Sequence, residues 1–169
     1  MLWVVRLQRI LQLVGIVAGV LTATSAAQAT TTTTTFTVQM TITGSCTINS
    51  ASTLNFGSQG VLTANVDQSS TIQVQCTNTT PYNIGLDAGT GSGATVTSRK
   101  MTSGGSTINY SLYSDSGRTS NWGNTVGTDT VASTGTGASQ SFTVYGRVPP
   151  QTTPAPATYS DTITVTVTY

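Results

Sequence analysis

Apolar and polar residues alternate with a period of two along most of this 169-residue chain. Such alternation predicts β-strands that bury one face. No helical period is sustained beyond the first 29 residues, so the pattern predicts an all-β protein. The clearest runs supply the following candidate core residues: Ile72, Val74, Cys76, Tyr82, Ile84, Leu86, Ile108, Tyr110, Leu112, Phe142 and Val144.

The C-terminal segment, residues 159–169, continues this alternation. Glycine- and proline-rich turns separate the runs, for example at residues 89–93, 103–105 and 149–156. Seven or more short strands joined by such turns predict an immunoglobulin-like β-sandwich. Nothing in the pattern indicates a second domain. One face of the C-terminal segment carries Tyr159, Asp161, Ile163, Val165, Val167 and Tyr169.

Residues 1–29 have the order of regions that is typical of a secretory signal peptide. Arg6 and Arg9 precede an apolar run over residues 10–21, and small residues end at Ala27-Gln28-Ala29. A membrane anchor is the alternative, but crossing the bilayer takes about 20 apolar residues, and the arginines interrupt any such stretch. We therefore predict cleavage near Ala29 and export of the rest.

An unusual segment follows the predicted cleavage site. Residues 30–35 are six consecutive threonines, which have no apolar groups to bury. Directly after them, Phe36, Val38, Met40 and Ile42 alternate strictly with polar residues. This pattern predicts a β-strand with four large apolar side chains on one face. It is either the first strand of the sandwich or a strand donated to another molecule, and the pattern alone leaves both open.

The composition argues against catalysis. The chain has no histidine and no glutamate, it has one lysine, and 37 threonines and 19 serines make up a third of it. Histidine-based zinc sites and Ser-His-Asp or Cys-His systems cannot be built from these residues. We therefore expect neither an enzyme nor a cofactor. A net charge of +1 without a basic run gives no support to nucleic-acid binding.

The two cysteines, Cys46 and Cys76, predict one disulfide, because export leads to an oxidising compartment and the count is even. A metal site is the alternative, but it lacks other soft ligands. A reactive thiol is another, but it lacks a neighbouring base. The bridge is expected to staple two neighbouring strands. Closing a loop of about 30 residues contributes roughly 3 to 4 kcal/mol in the chain-entropy model.

A family resemblance extends over residues 36–169. Its leading part is the alternating segment before Cys46, and further short motifs follow in a characteristic order: Leu54-Asn55-Phe56-Gly57, Gln73-Val74-Gln75-Cys76-Thr77, Ile108-Asn109-Tyr110-Ser111-Leu112-Tyr113, Trp122-Gly123 and Tyr145-Gly146-Arg147-Val148-Pro149. Together with residues 82–89 and 159–169, they resemble the spore coat protein U domain. That domain is found in pilin subunits of archaic, Csu-type chaperone-usher pili.

The resemblance implies an incomplete immunoglobulin-like fold that lacks its last strand and leaves an apolar groove open. It implies that Phe36, Val38, Met40 and Ile42 enter the groove of a neighbouring subunit, and that residues 159–169 form a wall of the chain's own groove. The wall residues would be Ile163, Val165, Val167 and Tyr169. Residues 30–44 would then be a leader and donor strand, and residues 45–169 the pilin domain.

The same resemblance implies partners and a location. A periplasmic chaperone would cover the groove, an outer-membrane usher would assemble the fibre, and neighbouring pilin subunits would fill each other's grooves. The product would be a cell-surface pilus that supports adhesion and biofilm formation. Two alternatives remain, namely a secreted carbohydrate-binding module that uses Trp122 and Tyr113, and a non-pilus surface or coat protein.

Three weaker signals favour structural roles. Gly89, Gly91 and Ala94 match a dinucleotide-binding pattern by letter, but a strand or loop sequence follows where a helix is needed. Asp115 and Asp129 lie in polar loops, where turn formation is a better account than calcium binding. Four basic residues are scattered and expected to be solvated: Arg99, Lys100, Arg118 and Arg147.

Overall fold

The computed structural model describes residues 26–169, so most of the predicted signal peptide lies outside the described residues. Met40–Tyr169 forms one compact unit, and the residues before it belong to another. The compact unit contains eight strands: β1 (Cys46–Ala51), β2 (Val66–Cys76), β3 (Pro81–Leu86), β4 (Arg99–Ser103), β5 (Ser106–Tyr113), β6 (Val131–Thr134), β7 (Ser139–Val148) and β8 (Val165–Thr168). Within residues 26–169, no helix is long and apolar enough to cross a membrane.

The strands form two antiparallel sheets, which confirms the predicted all-β sandwich. The larger sheet has the order β1-β2-β7-β5-β4, and the smaller one has the order β6-β3-β8. Both sheets contribute to a single core, in which β2 and β3 alternate as the sequence predicts. Its buried residues include Ile72, Val74, Tyr82, Ile84, Leu86, Tyr110, Leu112 and Val144.

Cys46 and Cys76 form a disulfide, as predicted, with an S–S distance of 2.01 Å. The two residues face each other in the register of β1 and β2, so the bridge staples two neighbouring strands. β2 ends at Cys76 and β3 begins at Pro81, so the start of β1, the end of β2 and the start of β3 lie together. We call this region the disulfide end of the sandwich.

The C-terminal segment is only partly a strand. We predicted alternation over residues 159–169, but β8 covers Val165–Thr168 and pairs with β3. Further upstream, Ser160 exchanges two main-chain hydrogen bonds with Thr102 of β4, at 2.8 and 3.2 Å. The segment therefore crosses from the larger sheet to the smaller one, and a chain that changes sheets cannot remain in one ladder.

The alternating segment at residues 36–42 belongs to no strand. Its four apolar side chains are largely exposed, from 71% for Ile42 to 87% for Phe36. It is therefore not the first strand of the chain's own sandwich, which is one of the two possibilities that the sequence left open. The first strand is β1, which begins at Cys46.

Candidate functional site

An open cleft of about 1060 Å³ lies along one side of the sandwich. One wall consists of residues 51–60, which follow β1, and the other consists of residues 153–163 together with Val165 of β8. The rim includes the partly buried side chains of Leu54, Phe56 and Ile163. These rim residues keep some apolar surface accessible at the mouth of the cleft. Its floor is formed by buried residues that include Ile72, Leu86, Leu112, Val144 and Val148.

The first wall depends on a glycine in β7. A Cβ atom at Gly146 would lie 2.7 Å from Leu54 Cδ1 and 2.9 Å from Phe56 Cζ, which is too close for either side chain to remain in place. Phe56 also packs edge-to-face against Tyr110, with ring centroids 6.2 Å apart. Gly146 thus lets residues 54–56 lie directly on the larger sheet, and these residues form the cleft wall.

The second wall is tied down by the carboxylate of Asp161. The Tyr110 hydroxyl donates to Asp161 Oδ2 at 2.7 Å. The Thr90 main-chain N–H and hydroxyl donate to Asp161 Oδ1 at 2.8 and 2.9 Å. Burial, reinforced by the Asp161 carboxylate, raises the pKa of Tyr110 above its ordinary value. The hydrogen bonds of Tyr110 and Thr90 to Asp161, together with the main-chain bridge between Ser160 and Thr102, therefore hold residues 159–162 in place.

A second carboxylate, Asp87, holds the C-terminal end of the same wall. Its Oδ1 atom accepts hydrogen bonds from the main-chain N–H groups of Thr164 and Gly89, at 2.9 and 3.0 Å. Burial acts to raise the pKa of Asp87, but these hydrogen bonds outweigh it and hold the pKa below its ordinary value. The ionised form is thus the one that supports the wall.

β1 and β8 each have one unpaired edge in the described part of the chain, and they reach the cleft at Ala51 and Val165. β1 pairs only with β2, and β8 pairs only with β3. β1 runs away from the disulfide end, as β3 does, whereas β8 is antiparallel to β3 and runs towards it. A strand inserted between them would therefore be parallel to one neighbour and antiparallel to the other.

The predicted groove-wall residues differ in their exposure. Ile163 and Val165 line the cleft. Val167 is partly buried against the core outside the cleft, and Tyr169 is 62% exposed. The alternation from Ile163 to Val167 was sufficient to place three of the four against the core.

Trp122 is not a sugar-stacking surface, contrary to the alternative considered from the sequence. It is 1% exposed, and its Nε1–H donates to the carbonyl of Ile84 at 2.8 Å. A buried indole whose N–H is already bonded is a core residue. Tyr113 on its own, at the end of β5, does not make an aromatic platform.

The expectation that all four basic residues are solvated was wrong for Arg99, which is fully buried. Its guanidinium donates to four main-chain carbonyls and lies close to Asp87. Arg147 and Arg118 are not isolated either, since both contact Asp67, at 2.7 and 3.4 Å. The sequence offered one usable signal for Arg99. It lies two residues before Met101, so the two side chains share one face of β4.

The aspartates considered for calcium form turns. Asp115 accepts from the main-chain N–H groups of Thr119 and Ser120, and Asp129 accepts from that of Thr125 at 2.7 Å. Within residues 26–169, no three His, Cys, Asp or Glu side chains form a group that could hold a metal ion. Residues 89–94 form turns and irregular structure, as the sequence predicts.

These features define a class of protein: an immunoglobulin-like sandwich with an open, partly apolar cleft and with unpaired edges on β1 and β8. The chain belongs to the Spore Coat Protein U domain family, whose model matches residues 32–166. This match confirms the family resemblance found in the sequence.

Known proteins that are similar to the chain include the following two. "Protein U" of Myxococcus xanthus is 36% identical over 167 residues, which cover 90% of this chain and 93% of that protein. The other is a chain in the crystal structure of the CsuC-CsuE chaperone-tip adhesion subunit pre-assembly complex from archaic chaperone-usher Csu pili of Acinetobacter baumannii. The TM-score is 0.57 at 23% identity, over 76% of this chain and 41% of that chain. This likeness supports the fold.

Proposed function

We propose that the protein is a structural subunit of a surface pilus and that it polymerises by donor-strand complementation. Phe36, Val38, Met40 and Ile42 of one subunit would enter the cleft of the next. The observation that carries this proposal is the pairing of two complementary features in one chain. One is an exposed segment with strict apolar alternation, and the other is an apolar cleft beside two unpaired strand edges.

The physical chemistry of strand addition supports the proposal. Main-chain groups of an added strand satisfy the open edges, while alternate side chains fill pockets. Burial of four large side chains contributes on the order of 6 to 12 kcal/mol before ordering costs. Each subunit gives one strand and receives one, so the contact is heterologous and does not close. Contacts of this kind generate fibres.

The open cleft also supports the proposed partners. An apolar cleft with free strand edges is an aggregation hazard during export. A periplasmic chaperone would cover it until an outer-membrane usher brings in the neighbouring subunit. We propose export through the periplasm, a location at the cell surface, and adhesion and biofilm formation as the roles of the fibre. No step of this assembly requires catalysis.

The direct test compares secreted chains in the presence of the chaperone. Removal of residues 30–43 is expected to leave capture by the chaperone intact and to abolish polymerisation. Polymers of the full chain are expected to appear on unboiled gels as a ladder of bands that disappears on heating. Met40→Asp should also abolish the ladders, because a carboxylate would have to enter the apolar cleft. Thr41→Asp is the matched control on the polar face and should assemble. Ladders formed by the truncated chain would show the proposal to be wrong.

A non-pilus coat protein is a second candidate. The similarity to Protein U over nearly its whole length, together with the name of the family, favours it. Electron microscopy separates the two, since a coat protein forms a layer and a pilin forms thin fibres that depend on residues 30–43. The carbohydrate-binding alternative has lost its main support, because Trp122 is buried.

A further inference from the structure

Residues 43–45, which join the leader to β1, are held by the main chain and the side chain of Thr77. The Thr77 N–H donates to the carbonyl of Ser45 at 2.9 Å, which extends the β1–β2 ladder by one residue. The Thr77 hydroxyl accepts from the Ser45 N–H at 3.1 Å. Its own hydrogen lies within reach of the carbonyls of Thr43 and Ser45, both at 3.2 Å. Thr77 therefore holds the main chain of residues 43–45 against the end of β2.

A competing arrangement would use the same residues as a turn. Thr43-Gly44-Ser45 has the length of a three-residue hairpin loop, in which the third residue, here Ser45, takes the left-handed conformation. In such a hairpin, Ile42 would face Cys46 and Phe36 would face Ser52, at the mouth of the cleft. The leader would then cover the free edge of its own β1. Neither Gly44 nor Ser45 has positive φ in the structure, so this turn is not formed.

Pairing of the leader with its own β1, which we call self-insertion, competes strongly with assembly because the two segments are linked in one chain. A segment three residues away from its target has an effective concentration on the order of millimolar. A neighbouring subunit at micromolar concentration cannot match this unless the local turn is disfavoured. Formation of the hairpin would break the contacts of residues 43–45 with Thr77. A side chain that stabilises the observed conformation of residues 43–45 thus disfavours the hairpin and favours insertion into another molecule.

We infer that Thr77 is a positioning residue that disfavours a hairpin between the leader and its own β1 and so favours assembly over self-insertion. The inference deepens the proposed function and rests on it for its biological meaning. Thr77 lies outside the cleft, and the four leader side chains do not depend on it for their apolar character. Its role is to select between two targets for the same strand.

A cross-linking experiment on the monomer measures this selection directly. Thr37→Lys and Ala51→Lys would be opposite each other in the hairpin and about 45 Å apart along an extended chain. The chain has a single lysine, Lys100, so a short amine-reactive cross-linker gives a readily identified product. The secreted chain with this lysine pair is treated at submicromolar concentration, and the monomer band is analysed by mass spectrometry.

In this background, Thr77→Val is expected to raise the yield of the 37–51 cross-link about fivefold, which corresponds to the loss of one net hydrogen bond. Thr77→Ser keeps the hydroxyl and should restore the low yield. Thr80→Val is a second control, since the Thr80 side chain contacts the Gly44 position without a hydrogen bond to residues 43–45. Equal yields in the Thr77→Val and parent chains would overturn the inference.

Assembly is scored in parallel without the lysine pair. Thr77→Val should slow ladder formation several-fold, whereas Thr77→Ser should not. Failure of the wild-type chain to assemble with its chaperone would contradict the proposed function, but the cross-linking result would still decide whether Thr77 directs the leader. The two failures are therefore distinguishable.

Discussion

At the scale of single residues, Arg99 joins the end of β3 to the loop that carries Trp122. Its Nη2 atom donates to the carbonyls of Leu86 and Trp122, at 3.0 and 2.7 Å. Its Nε and Nη1 atoms donate to those of Asp87 and Val96, at 2.8 and 2.6 Å. Burial lowers the pKa of Arg99, but a guanidinium remains charged in proteins. The guanidinium is planar and has several donors in fixed positions, so it can donate to four carbonyls at once.

Replacement of this group should be costly. We predict that Arg99→Lys lowers the free energy of unfolding by about 2 to 4 kcal/mol, because an ammonium cannot satisfy four buried carbonyls. Urea denaturation followed by the fluorescence of Trp122 measures this loss. Arg147→Lys is the matched control at an exposed pair with Asp67, where we expect a loss below about 1 kcal/mol. Equal losses at the two positions would contradict the prediction.

Gly146 shows the opposite case, in which the lack of a side chain matters. Two apolar residues of the first wall occupy the space that a Cβ atom would need. The sequence places Gly146 in an alternating strand but does not reveal what packs above it. Its role becomes visible only when Leu54 and Phe56 are seen to cross the larger sheet.

At the scale of elements, the two cleft walls are built differently. The first wall packs on the larger sheet, whereas the second is held by Asp161, Asp87 and the Ser160–Thr102 bridge before it becomes β8. The sequence predicted β2, β3 and β5 well, because each is buried on one face along most of its length. It predicted residues 159–164 poorly, because alternation persists where the chain leaves one sheet for the other.

The face of β8 that borders the cleft should govern recognition of the leader. We predict that Val165→Asp weakens binding of a fluorescent peptide of residues 30–44 about 30-fold or more, since desolvation of a carboxylate costs at least about 2 kcal/mol. Thr166→Asp introduces the same charge at the next, exposed position of β8 and should change affinity by less than about threefold. Similar losses in both variants would indicate a general effect of charge instead.

At the scale of the whole molecule, the cleft and the leader junction occupy different parts of the sandwich. The chain enters β1 at the disulfide end. The cleft is lined by residues that follow the end of β1 and by residues that precede the start of β8, so it lies towards the opposite end. Donation of the leader to a neighbour would therefore give a directional contact that repeats along a fibre.

Stability should be nearly independent of pH between about 5 and 8, because the chain has no histidine. Hydrogen bonds lower the pKa of Asp87, so its stabilising contribution is lost only as pH falls below its ordinary pKa of 3.8. Burial raises the pKa of Tyr110, so stability falls as pH rises above the ordinary tyrosine value of 10.0. Thermal unfolding across this range tests both limits. A steep change between pH 5 and 8 would contradict the prediction.

Assembly through this subunit should also be nearly independent of pH between about 5 and 8. The proposed contact consists of main-chain pairing and apolar insertion, and neither titrates between pH 5 and 8. Ladder formation at pH 5 and pH 8 compares the two conditions. If ladder formation depended steeply on pH, the titrating group would belong to the chaperone or to another partner.

The sequence by itself determined the fold class, the disulfide and most of the core, because these depend on local alternation and on residue type. It also predicted an apolar strand at residues 36–42 without deciding where that strand would pair. Only the tertiary structure decided that β1 begins at Cys46, that Arg99 is buried and that Trp122 belongs to the core. It alone also revealed the cleft between residues 51–60 and 153–165. These features depend on contacts between segments far apart in the chain, and the alternation of one segment does not specify which other segment covers it.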